Sequence, residues 1–110
     1  MLVFVLALVS NAALAEVVSY ADAASHVGRS VTVEGPVAEV FISRRGNTFL
    51  DIGAAYPNQK FSGVIFSTSA SVVGDVGTLQ GKIVDITGTV TMYHGKPEII
   101  ITSHDQIGVK

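Results

Sequence analysis

Two short stretches of this 110-residue chain gather polar and basic side chains in turn-like surroundings: Arg44-Arg45-Gly46-Asn47 and His94-Gly95-Lys96. Lys60 closes a third, the loop over 53–60 that contains Tyr56-Pro57-Asn58. Cations placed this way can follow the phosphates of an extended polyanion, and exposed rings offer bases a stacking surface at about 1–3 kcal/mol each. Phe49, Tyr56, Phe61 and Tyr93 are the rings nearest those turns. The candidate contacts for nucleic acid are therefore Arg44, Arg45, Asn47, Phe49, Tyr56, Lys60, Tyr93, His94 and Lys96. A plainer reading stands beside each. Arginines at a turn tip are often solvated turn residues, Tyr56 beside Pro57 fits a plug closing one end of the domain, and Phe41, Phe61 and Phe66 sit at spacings typical of core.

Other chemistries find no support in the residue pattern. His26, His94 and His104 lack HxH or HxxxH spacing and there is no cysteine, so a zinc site is not expected. No serine lies in a nucleophile-elbow context and no glycine-rich loop cradles phosphate. Catalytic residues, metals and cofactors are all expected to be absent, and the chain reads as non-enzymatic. The formal charge is −2, which excludes a protein that holds nucleic acid by bulk electrostatics. Glu34, Glu39, Asp51 and Glu98 are expected to share outer faces and repel phosphate. Three cations on three phosphates give a log-log salt slope of about −2, so fourfold more salt weakens binding roughly twentyfold. That describes a weak, accessory binder.

The amino terminus reads as an export segment. Leu2 to Val9 is an uninterrupted apolar run, and Ala13-Leu14-Ala15 fits small-x-small cleavage after Ala15, although no Lys or Arg precedes the run. The run is too short for a membrane span of about 20 residues. A mature chain of 16–110, periplasmic or secreted and without a stable membrane span, is the expectation. At about 95 residues it has room for one core. Apolar residues make up 48% and charged ones 15%, so the chain should collapse and fold. The absence of cysteine rules out both a disulfide framework and a lipid-bearing Cys.

The elements that must position the candidate residues are mostly strands. Ser19 to Asp22 resembles a capping box opening a helix over 20–27 that Gly28 ends. From Ser30 the period becomes two: Val31 and Val33 alternate with Thr32 and Glu34, and one long strand runs to Ser43, with Gly35-Pro36 as its expected bulge. The Arg44 turn makes a hairpin with a second strand, Thr48 to Ile52, whose alternation puts Leu50 and Ile52 inward and Phe49 and Asp51 outward. Phe61 to Phe66 is a third strand. A loop with a helical turn near 69–73 follows, then a long strand from Lys82 to Tyr93 bent at Gly88. His94-Gly95 turns the chain into a fifth strand from Lys96 to Thr102, and Ser103 caps a last helical turn. Five strands, two of them long and bent, with a long third connection, are the plan of an OB-fold barrel.

Several strings also carry a family resemblance: Val31-Thr32-Val33-Glu34-Gly35, Thr48-Phe49-Leu50-Asp51-Ile52-Gly53, Tyr56-Pro57-Asn58-Gln59, Val64-Ile65-Phe66, and Tyr93-His94-Gly95-Lys96-Pro97-Glu98-Ile99-Ile100. In this order and spacing they resemble small exported bacterial OB-fold proteins of the tRNA-anticodon and helicase type, described as nucleic-acid-binding. The resemblance covers nearly all of 16–110. It implies a mainly β, five-stranded barrel with a short N-terminal helix, and binding of single-stranded DNA or RNA. Some relatives carry a lipobox Cys that this chain lacks. The rival reading, favoured by the near-neutral charge, is a periplasmic module for a protein, peptide or oligosaccharide.

Overall fold

The computed structural model describes residues 15–110. Most of the segment read as an export signal, residues 1–14, lies outside the described residues. Among the described residues there are seven strands: β1 (Val17–Ser19), β2 (Ser30–Ile42), β3 (Thr48–Ile52), β4 (Phe61–Ile65), β5 (Ile83–Tyr93), β6 (Lys96–Ile100) and β7 (Ile107–Val109). Their order is β1-β2-β3-β4-β6-β5-β7, and β2 also pairs with β5, which closes β2, β3, β4, β6 and β5 into a five-stranded barrel. β4 and β6 run parallel; the other barrel pairs are antiparallel. The protein is thus mainly β with the OB-fold barrel the residue pattern predicts. β1 and β7 are additions at its margins, each too short to show a period of two.

β2 serves two sheets. Its first half, Ser30 to Pro36, pairs with β5, and from Val37 it pairs with β3. Gly35-Pro36 is not the bulge. Both residues hold register opposite Val84 and Ile83, and the irregularity falls one step later, between Val37 and Glu39. Proline is tolerated because of where its missing N–H would point. Thr32 donates outward to the Glu16 carbonyl at 2.8 Å, whereas Val37 donates to Lys82 at 2.8 Å, so even positions face away from β5. Position 36 therefore faces away from β5, toward Gly53 just past the end of β3, whose N–H donates to the Pro36 carbonyl at 2.9 Å, so the missing N–H falls at the margin of a ladder rather than within the β2–β5 pairing.

The bulge also changes which residues face inward. Val31, Val33 and Val37 are buried at odd positions, whereas beyond it Val40 packs on the core opposite Leu50, and Glu39 and Phe41 turn outward. One extra residue in a period-two strand exchanges its faces. Leu50, Ile52, Phe61, Ile65, Val84, Ile86, Val90, Ile99 and Ile101 complete the barrel interior.

The short helix over Tyr20–His26 is a 3-10 helix; Ser19 Oγ accepts from Ala21 N at 3.3 Å, with no reciprocal bond from Asp22 among the described residues. Its first residue, Tyr20, lies over Gly35 and Gly53. The 67–81 connection is a 3-10 turn (Ser67–Ser69), a single α-helical turn α1 (Ala70–Val73) and a second 3-10 turn (Gly77–Leu79). It is fastened at Val73 O, which lies 3.0 Å from His104 Nδ1. Ser103 caps the last turn in a full capping box with Gln106. Gln106 Nε2 also donates to Thr87 O at 2.9 Å, holding the C-terminal turn to β5. Among the described residues no helix is long and apolar enough to cross a membrane.

Candidate nucleic-acid interface

The outer face of β2, β3, β4 and β6 is laid out in transverse rows that the strand registers define. Glu39 pairs with Asp51, Asp51 with Ser62, and Ser62 with Glu98, giving one row of three carboxylates and a hydroxyl. Two residues along the strands, Phe41 pairs with Phe49, Phe49 with Val64, and Val64 with Ile100, giving an apolar row. On the other side of the carboxylates, Tyr93 pairs with Lys96, beside the loop that carries Tyr56 and Gln59. A groove of about 520 Å³ runs from Phe41 and Phe49 across the carboxylate row to Tyr93 and Lys96. Lys96 and Ile100 are four residues apart on β6, so the aromatic ends of the groove are separated by roughly 13 Å at about 3.3 Å per residue.

The rings are open to the groove. Tyr56 is 73% exposed and Tyr93 60%, so the plug reading of Tyr56 is overturned. Tyr93 stacks on His94 with ring centres 4.1 Å apart; the two-residue turn that sets this pair has positive φ at both His94 and Gly95, a geometry that matches the twist of a hairpin. Phe41, expected in the core, is 51% exposed and lies 6.3 Å from Phe49, because the bulge before Glu39 turned it outward. Phe66 is also exposed, since it lies past the end of β4 and outside the barrel. Phe61 is core, as its spacing predicts.

The cations divide into two kinds. Lys96 lines the groove, but its ammonium donates to the Pro57 carbonyl and, at 2.8 Å, to the Gln59 carbonyl. It pins the 53–60 loop to β6, a structural task that leaves less of it for phosphate. Arg44 and Arg45 are exposed at the β2–β3 turn, beyond the Phe41–Phe49 end of the groove, and have no ion-pair partner among the described residues. Asn47 is occupied: its side-chain oxygen accepts from Ser67 N at 3.0 Å and ties the turn to the 67–81 connection. Lys60 is exposed beside Gln59 without lining the groove. Of the nine predicted contacts, then, the groove gathers Phe49, Tyr56, Tyr93, His94 and Lys96, while Arg44, Arg45, Asn47 and Lys60 lie outside its lining.

The expected acidic face is present for Glu39, Asp51 and Glu98, but not for Glu34, which lies on the other half of β2 and pairs with Lys110 at 2.9 Å. Burial raises the Asp51 carboxyl above its ordinary value; the Ser62 hydroxyl, donating at 3.0 Å, opposes this, and the nearby charge of Glu39 adds to it. Burial likewise raises Glu98, with the charge of His94 opposing. A carboxyl raised in the folded state favours folding below its unfolded value and loses that contribution as pH rises through the folded value. We therefore expect Asp51→Asn, which keeps an oxygen for Ser62, to gain stability relative to the parent as pH increases above about 4. Urea midpoints measured from pH 3 to pH 8 check this; a relative gain that shrinks with pH would contradict it.

Gln59 and Ser62 are groove residues that the sequence reading did not single out. Ser62 was visible in principle, as the outward neighbour of Asp51 once strands two and three are paired. Gln59 had no sequence signal, because nothing in the 53–60 loop predicts which way its side chain turns.

A closed barrel with this strand order and a groove across its β3–β4 face defines an OB-fold domain. A solved structure shares the architecture. The chain superposes on a Leishmania major protein described as an aspartyl-tRNA synthetase with a TM-score of 0.56 and 14% identity, over 86% of this chain and 20% of that one. It also matches an aspartyl tRNA synthetase from Entamoeba histolytica (TM-score 0.49, 18% identity, 77% of this chain and 19% of that one). A third match is the second OB-fold domain of replication protein A from Methanococcus maripaludis (TM-score 0.49, 18% identity, 84% and 94%). The chain spans about a fifth of the length of the two synthetases, and the likeness is one of fold. No protein-family model and no curated protein matches the chain.

Proposed function

We propose that residues 16–110 form a non-enzymatic, exported OB-fold module that binds a single strand of nucleic acid weakly, with bases turned into the groove and phosphates turned out. The observation that carries this reading is the arrangement of the floor: open rings at both ends and carboxylates between them. Phosphate is repelled by Glu39, Asp51 and Glu98, whereas a base meets flat rings and hydrogen-bond acceptors. OB barrels bind oligonucleotides on this face, and two of the solved structures similar in fold are named as tRNA synthetases and a third as a replication protein A domain. Periplasmic or secreted placement is supported by the apolar run and small-residue site before Glu16.

With Lys96 committed to the loop, Arg44 and Arg45 are the cations best placed for phosphate at the rim. Two contacts on a single strand give a salt slope of about −1.4, so fourfold more salt should weaken binding by only about sevenfold. Fluorescence anisotropy of the 16–110 protein with labelled single-stranded DNA and RNA across a salt series reads this slope. A slope steeper than about −2 would mean that phosphates, not bases, dominate.

A second reading, an extended oligosaccharide or peptide, is favoured by the same three carboxylates and by the shortage of free cations in the groove. OB folds take oligosaccharides on this face too. Binding of neutral glycans with no response to any oligonucleotide would put that reading first.

A further inference from the structure

The groove floor contains an unanswered polar group. Gln59 is only 7% exposed and lines the groove, and its Oε1, closed off from solvent as the side chain stands, has no hydrogen-bond partner among the described residues. Leaving a buried amide oxygen unpaired is unfavourable, and such groups are rare in folded proteins. Its backbone carbonyl accepts from Lys96, which holds this end of the loop against β6. Lys96 and Glu98 are two residues apart on the same face of β6, with their Cα atoms roughly 7 Å apart at about 3.3 Å per residue, and both line the groove with Gln59. Asp51, by contrast, already receives the Ser62 hydroxyl.

Resting on the nucleic-acid reading, we propose that Gln59 and Glu98 make the groove selective for bases that carry an exocyclic amino group, cytosine and adenine over thymine. The chemistry is one of matched partners. Cytosine N4 and adenine N6 are donors, and carboxylates accept from them; thymine offers O4, an acceptor, at the corresponding position. A glutamine side chain can turn its amide to present either a donor or an acceptor, whereas an ionised glutamate only accepts. Glu98 therefore sets the sign of the preference, and Gln59, its amide turning to bring Oε1 to the groove, accepts the second hydrogen bond. Single-stranded bases splayed over an OB surface expose the edges that such groups read.

The test is a comparison of oligo(dC), oligo(dA) and oligo(dT) of equal length on the 16–110 protein, on Glu98→Gln and on Gln59→Met. Thermal melts followed by circular dichroism establish that both variants fold. The parent should bind oligo(dC) and oligo(dA) about tenfold tighter than oligo(dT), and Glu98→Gln should narrow this to within about threefold. Gln59→Met should weaken oligo(dC) and oligo(dA) while leaving oligo(dT) within about twofold. Equal binding of all three by the parent, or a preference that survives both substitutions, overturns the selectivity while leaving the nucleic-acid reading intact. Failure of the parent to bind any oligonucleotide removes both.

Discussion

Replacing Tyr56 and Tyr93 together with alanine should reduce affinity for a single-stranded oligonucleotide by at least about 30-fold, since each base–ring stack is worth about 1–3 kcal/mol. These two rings make the cleanest test of the groove because neither belongs to the core. Both are more than half exposed, both line the groove, and they stand on separate elements, the 53–60 loop and the end of β5. Phe49 is a poorer probe: it is half-buried and packs against Phe41, so its removal also disturbs the face. Loss of the Tyr93 ring leaves His94 without its stacking partner, but the turn itself is set by backbone geometry at His94 and Gly95. Anisotropy titrations of the double variant, beside Arg44→Ala plus Arg45→Ala, decide which force dominates. If stacking leads, the tyrosine variant loses far more affinity than the arginine variant and keeps its salt slope. The reverse order would place the ligand's phosphates, rather than its bases, against the protein.

The barrel was largely legible because its signals are local. Alternation around Val31 and Val33, the Gly46 and His94-Gly95 turns and the Ser103 cap each report backbone geometry within a few residues, and all appear in the fold. The groove was legible only in part, since its content depends on a bulge. Read without interruption, the odd-numbered positions of β2 place Phe41 beside Val37 in the core; the irregularity before Glu39 moves it to the opposite face. Nothing in Val37-Ala38-Glu39 announces that step, whereas Gly35-Pro36 advertises one that does not occur. Lys96 illustrates a different limit. Its charge is plain in the sequence, but whether that charge meets a ligand or the carbonyls of Pro57 and Gln59 depends on how a distant loop folds back.

The same loop junction supplies the largest expected effect on stability. Gly53 has φ +85°, and a Cβ built there would run into the Tyr20 ring. Gly53→Ala should therefore destabilise the domain by about 2–4 kcal/mol, the sum of a left-handed backbone penalty and overpacking. The two parts can be separated through Tyr20. In a Tyr20→Ala background the ring is gone, and Gly53→Ala should then lose only about 1–2 kcal/mol, the backbone part. Gly35→Ala supplies the control. Its Cβ would also meet the Tyr20 ring, at 2.5 Å, but it meets Ile52 Cγ2 at 2.5 Å as well. Removing Tyr20 should thus relieve Gly53→Ala more completely than Gly35→Ala, because one clash at position 35 remains. Urea unfolding of the two double-mutant cycles measures the coupling directly. A coupling near zero for Gly53 would mean that Tyr20 does not press on the start of the 53–60 loop, and the 3-10 helix would then be a bystander to the barrel end that it covers.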